Sequence, residues 1–184
     1  MDEYQDNSSL DITRKCGSCA VCCKIMQVPE FVRAKGAWCP KARPGDPRGA
    51  CSIYNDRPVG CRGFACLWLL GAGLDDDRPD KMGVMFAVMG DRSKGTSKAV
   101  AFESKPGRLL WPRARRFVQF LLHTGVPVTA MRIVRGEIER VELPPPGGDV
   151  GGRGDQPGEL GDVAGSLPHE LMTAHNQASD TQKS

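Results

Sequence analysis

Apolar residues are spread unevenly along the chain, and their densest block lies past its middle. Met82 to Met89 reads M-G-V-M-F-A-V-M. A continuous apolar run of this length, without a 3.6-residue period, predicts a buried strand. Lys98 to Ser104 predicts its partner strand, across a polar turn from Gly90 to Ser97. From Trp111 to His123 the period changes to that of a helix, with Phe117, Phe120 and Leu121 as the buried stripe. Pro112 suits the first turn of that helix and Gly125 its stop. Val126 to Val134 and Glu137 to Leu143 predict a hairpin around Arg135-Gly136. Residues 80–143 are therefore expected to form a small antiparallel sheet carrying one helix.

Upstream the pattern thins. Residues 12–72 hold few large apolar side chains, chiefly Val21, Ile25, Phe31, Phe64, Leu67 and Trp68. Ordering about sixty residues costs roughly 1.5 kcal/mol each, which this set does not offset alone. Short helices are expected from Pro29 to Lys35 and from Pro58 to about Leu70, with a loop over Lys41 to Ala50. Asp75-Asp76-Asp77-Arg78-Pro79 reads as a solvated turn. Residues 1–11 read as a disordered lead. Residues 144–184, rich in Gly, Pro, Asp and Ser, read as a disordered tail.

Charge follows the same division. The formal net charge is +3, but the tail sets Arg153 and Lys183 against Asp149, Asp155, Glu159, Asp162, Glu170 and Asp180. The body is thus basic. A basic body suits an anionic partner such as nucleic acid, or it neutralises clustered thiolates. Arg14, Lys15, Lys24, Arg57 and Arg62 stand beside cysteines in sequence and can do the second.

The cysteines change the picture most. All eight lie in one stretch: Cys16, Cys19, Cys22, Cys23, Cys39, Cys51, Cys61 and Cys66. The acidic, polar start lacks a basic-then-apolar leader, and no run approaches the roughly 18–20 apolar residues of a membrane span. A cytoplasmic protein with reduced thiols and no membrane contact is expected. A disulfide scaffold would instead require export. Reduced, clustered cysteines point to a metal, because a C-x2-C turn aims two sulfurs at one ion. A structural zinc site contributes about 10–16 kcal/mol at neutral pH, so residues 12–72 are expected to be a metal-stabilised module in an α+β chain. Metal removal should then unfold residues 12–72 and leave the later sheet largely intact.

Several ligand groupings fit eight thiolates. They can form two four-cysteine zinc sites, a cluster of zinc ions sharing thiolates, or an iron–sulfur cluster with cysteines left over. Cys16, Cys19 and Cys22 have ferredoxin spacing, but Cys23 follows at once and Cys39-Pro40 is remote. On one helix Cys61 and Cys66 would point about 140° apart, so one lies past a bend at Gly63 or the two bind different ions. His123, His169 and His175 all fall outside the module, and the last two do not match H-E-x-x-H. No general base stands near the cysteines in sequence, so no catalytic residue is assigned.

The pattern C-x2-C-x2-C-C, followed by C-x-I-Y-x2-R-P-x2-C-R-x-F-x-C, resembles the zinc- or iron-chelating cysteine-cluster family, the YkgJ-like CxxCxxCC proteins. The match spans Cys16 to Cys66 and includes Tyr54, Arg57, Pro58, Arg62 and Phe64. The resemblance implies metal chelation by all eight cysteines and, as in some relatives, iron–sulfur oxidoreductase character. On physical grounds Arg57 and Arg62 can donate charged hydrogen bonds to thiolates, and Tyr54 can pack beside them. Metal binding is the leading expectation. An iron–sulfur protein passing electrons to a protein redox partner is the second. A zinc-dependent nucleic-acid binder using Trp111, Arg113, Arg115 and Arg116 is the third.

Overall fold

The computed structural model describes residues 12–90, 96 and 98–143. The expected disordered lead and tail lie outside them. The described chain is α+β, with a four-stranded sheet as its centre. Strands β1 (Val84–Met89), β2 (Lys98–Glu103), β3 (Val128–Val134) and β4 (Glu137–Val141) lie side by side in chain order.

The sheet is mixed, which corrects the antiparallel expectation. β1 pairs antiparallel with β2 and β3 with β4, but β2 and β3 run parallel, with Ala101 opposite Ala130. The cause is the helix between them, α1 of the sheet half (Pro112–His123). It crosses one face and returns the chain to start β3 in the direction of β2, as a β-helix-β connection requires. The hairpin after β3 turns where expected, with both Arg135 (φ 49) and Gly136 (φ 82) left-handed. That geometry matches the twist of the flanking strands.

Both faces of the sheet are covered, which explains the unbroken apolar run in β1. Val84 and Phe86 of β1 face the helix with Ala99, Ala101 and Ala130. The helix buries Ala114, Phe117, Val118 and Leu121, spaced three, one and three apart, while Phe120 packs at the margin of this core. The rings of Phe86 and Phe117 meet at 4.6 Å. Alternate strand residues Met85, Val100 and Phe102 point to the other face, where Val21 and Ile25 of the cysteine stretch cover them.

Three local expectations give way to tertiary contacts. Residues 29–35 form bends and turns in place of a helix. Val32 is 95% exposed, so no apolar face rewards helix formation there. The Arg33 guanidinium instead donates to the carbonyls of Lys24, Met26 and Ala37 and fixes the loop. The helix expected over 58–70 stops after one turn, Val59–Arg62, at Gly63. Leu67 N–H then donates to the Phe86 carbonyl at 2.8 Å, docking the chain on β1, and Leu67, Leu70 and Ala72 enter the core under the helix. The acidic turn is only partly solvated. Asp77 is buried, accepts the Leu74 N–H at 2.7 Å and faces Arg113 at 3.4 Å. Among the described residues no helix is long and apolar enough to cross a membrane.

Candidate functional site

All eight cysteines line one cavity of about 580 Å³ on the second face of the sheet. All are free thiols and partly buried. The disulfide alternative is thus not formed.

Short-range backbone bonds place each thiol. Gly17 takes a left-handed φ of 55°, a conformation glycine adopts without a Cβ clash, and Cys19 N–H donates to the Cys16 carbonyl at 3.0 Å. This closes the expected knuckle. Cys22 and Cys23 open a single helical turn, Cys22–Ile25. Cys39 N–H donates to the Cys23 carbonyl at 2.9 Å. The proline- and glycine-rich loop closes through a bridge between Ala42 and Cys51, and its Ala50 N–H donates to the Gly17 carbonyl at 2.9 Å. Cys61 lies within Val59–Arg62, and Cys66 follows the bend at Gly63. The three later cysteine segments therefore return to the knuckle, as the spacing suggested. The bend also resolves the divergence expected of Cys61 and Cys66 on a continuous helix.

The thiols surround a space and are not gathered on a point. Among the described residues no three Cys, His, Asp or Glu side chains stand close enough to hold a metal ion as they are.

Among the described residues the cavity wall carries six cations, Arg14, Lys15, Arg33, Lys41, Arg48 and Arg57, and no carboxylate. Of the cations expected from sequence, Arg57 stacks on the Tyr54 ring at 3.8 Å and donates to the Tyr54 carbonyl at 2.8 Å. The Tyr54 hydroxyl lies beside the Cys16 thiol and, after Arg57, favours its ionised form. Arg14 is anchored on the carbonyls of Trp68, Ala72 and Gly73. Lys24 points away, donating to the Ser104 carbonyl at 3.2 Å, and Arg62 is exposed off the wall. Arg33, Lys41 and Arg48 also reach the wall and were not singled out in the sequence, although Lys41 stands beside Cys39 and Arg48 near Cys51, so the same proximity rule could have found these two.

Burial and repulsion between neighbours govern the thiol protons. Burial pushes Cys19 up to about 11 and Cys66 up to about 12, and raises Cys16 and Cys61. A hydrogen bond to Cys23, then burial, holds the Cys22 proton firmly in place. Cys23 accepts that bond and, with Arg33 and Arg57 nearby, comes down to about 7. This places the Cys23 thiol, unlike Cys16, Cys19, Cys22, Cys61 and Cys66, near ionisation at neutral pH. Among the described residues no histidine lines the cavity, and His123 is exposed at the far end of the sheet's helix.

The residues of the nucleic-acid expectation lie elsewhere. Trp111 stacks with Arg108, and Arg113 is drawn to Asp76 and Asp77. No family model, no curated protein and no solved structure matches this chain.

Proposed function

We propose that this protein binds zinc or iron through its clustered cysteine thiolates. One observation carries the reading: eight cysteines from separate chain segments line the same cavity, on a wall to which the described residues contribute six cations and no carboxylate. Sulfur is the donor preferred by zinc and by iron–sulfur clusters. An all-thiolate centre is net negative, and the cations of the wall offset that charge. The residues fit a metal by donor type and electrostatics. Ligation also requires the cavity to contract, because no three donors are yet at holding distance. The motif resemblance supports the same conclusion.

The full chain purified without oxygen from a reducing compartment is expected to carry stoichiometric metal by elemental analysis. A colourless protein with zinc identifies a chelating or structural centre. A brown protein with broad visible absorption identifies an iron–sulfur centre and the electron-transfer role. Protein that arrives metal-free and takes up neither zinc nor iron under reducing conditions refutes the proposal.

A further inference from the structure

The eight thiols divide by the structure that supports them. Cys19, Cys22 and Cys66 pack against the sheet cluster of Met85, Val100 and Phe102. Cys16 joins them through the knuckle bond from Cys19 N–H to its carbonyl. Cys23, Cys39, Cys51 and Cys61 lie outside that cluster, Cys23 and Cys61 on single helical turns and Cys39 and Cys51 on the loop between them. Backbone bonds link them instead: Cys39 N–H to the Cys23 carbonyl, Ala42 N–H to the Cys39 carbonyl, and the Ala42 bridge to Cys51. Cys61 lies within electrostatic reach of Cys23, Cys39 and Cys51, and Cys66 of Cys16 and Cys19, while Cys16 and Cys23 are neighbours across the boundary. The adjacent pair sits at the boundary. Successive residues on a helical turn diverge by about 100°, so Cys22 packs against the sheet cluster while Cys23 lies near Arg33 and Arg57, their sulfurs still joined by a hydrogen bond until each is drawn to its own ion.

We propose that the chain holds two metal ions in separate four-thiol sets, an inner one of Cys16, Cys19, Cys22 and Cys66 and an outer one of Cys23, Cys39, Cys51 and Cys61, and that the outer ion exchanges first. This rests on the metal-binding reading above and adds the ligand grouping and the order of release. The order follows from support. Cys19, Cys22 and Cys66 pack against the apolar cluster on the sheet and Cys16 is tied to them through the knuckle, whereas the outer donors sit on single helical turns and a loop held by backbone hydrogen bonds alone, which open locally at lower free energy. The doubled cysteine then has a physical role: it assigns one thiol to each ion.

The test uses reduced full-length protein loaded without oxygen with cobalt(II), whose absorption reports thiolate ligation. A chelator is added, samples are alkylated with N-ethylmaleimide over time, and peptides are mapped by mass, with fragmentation separating Cys22 from Cys23. Two bound equivalents and two release phases are expected. Cys23, Cys39, Cys51 and Cys61 should become alkylated in the first phase and the other four only in the second. Cys51→Ser should bind one equivalent fewer while Cys16, Cys19, Cys22 and Cys66 stay protected. Alkylation that mixes the two sets, release in a single phase, or more than two ions sharing thiolates overturns the grouping while leaving metal binding intact. Wild-type protein that binds no cobalt or zinc overturns the metal-binding reading itself.

Discussion

Met85 is the side chain on which the attachment of the cysteine stretch to the sheet depends most. It is 1% exposed and lies between Val100 and Phe102 on the strands and Val21 and Ile25 above them. Cys19, Cys22 and Cys66 touch the same cluster. Truncating it to alanine removes about 1.5–3 kcal/mol of transfer free energy and leaves a cavity, so Met85→Ala should cost about 3 kcal/mol. A domain of this size is stable by about 5–15 kcal/mol, so the variant should still fold. That loss corresponds to roughly a hundredfold larger open population, at about 1.4 kcal/mol per decade. The assay has two readings on reduced, zinc-loaded protein: stability by urea unfolding, and alkylation rates of individual thiols by mass mapping. Leu121→Ala is the control, because Leu121 is equally buried but under the helix on the opposite face. Both variants should lose similar stability in urea. Only Met85→Ala should speed alkylation of Cys19, Cys22 and Cys66 beyond what its global stability explains. Equal thiol protection in the two variants at matched stability would show that the cysteine stretch does not rely on this face of the sheet.

Three further outcomes follow from the same structure. Metal removal should reach the sheet and not stop at residue 72, because Met85, Val100 and Phe102 lose their cover when residues 16–26 loosen; hydrogen exchange at β1 and β2 should rise with chelation, and unchanged protection there would restore the picture of two independent units. Gly83→Ala should destabilise by more than 2 kcal/mol in thermal melts, since its φ is +81° and an added Cβ would lie 2.5 Å from Arg108 Cγ, whereas Gly107→Ala, at φ +79° with open space around it, should cost only about 1–2 kcal/mol. In metal-free protein Cys23, lowered to about 7, contributes stability at alkaline pH that fades as pH falls through 7, while Cys19 and Cys66, raised to about 11 and about 12, contribute stability below pH 9 that is lost as pH rises through their folded values. Cys23 should therefore alkylate first near neutral pH and the fold should weaken above pH 9; a flat stability profile from pH 8 to 11 would contradict these assignments.

Much of the sheet half was legible in the sequence because its signals are local. The apolar run of β1, the helical stripe through Phe117 and Leu121, the Gly125 stop and the Arg135-Gly136 turn each follow from the conformational preferences of neighbouring residues. The cysteine spacing likewise marked out the knuckle and the return of three later segments to it. Contacts between residues far apart in the chain decided the rest. The parallel pairing of β2 with β3 depends on which face the intervening helix covers. The short turn at Val59–Arg62 ends where Leu67 gains a place beside Phe86, and Arg33 holds its own loop by three carbonyls no periodicity reveals. Spacing in sequence indicated that the cysteine segments would return to one place; which thiols pack against the sheet cluster, Cys19, Cys22 and Cys66, came only from burial of the sheet's second face.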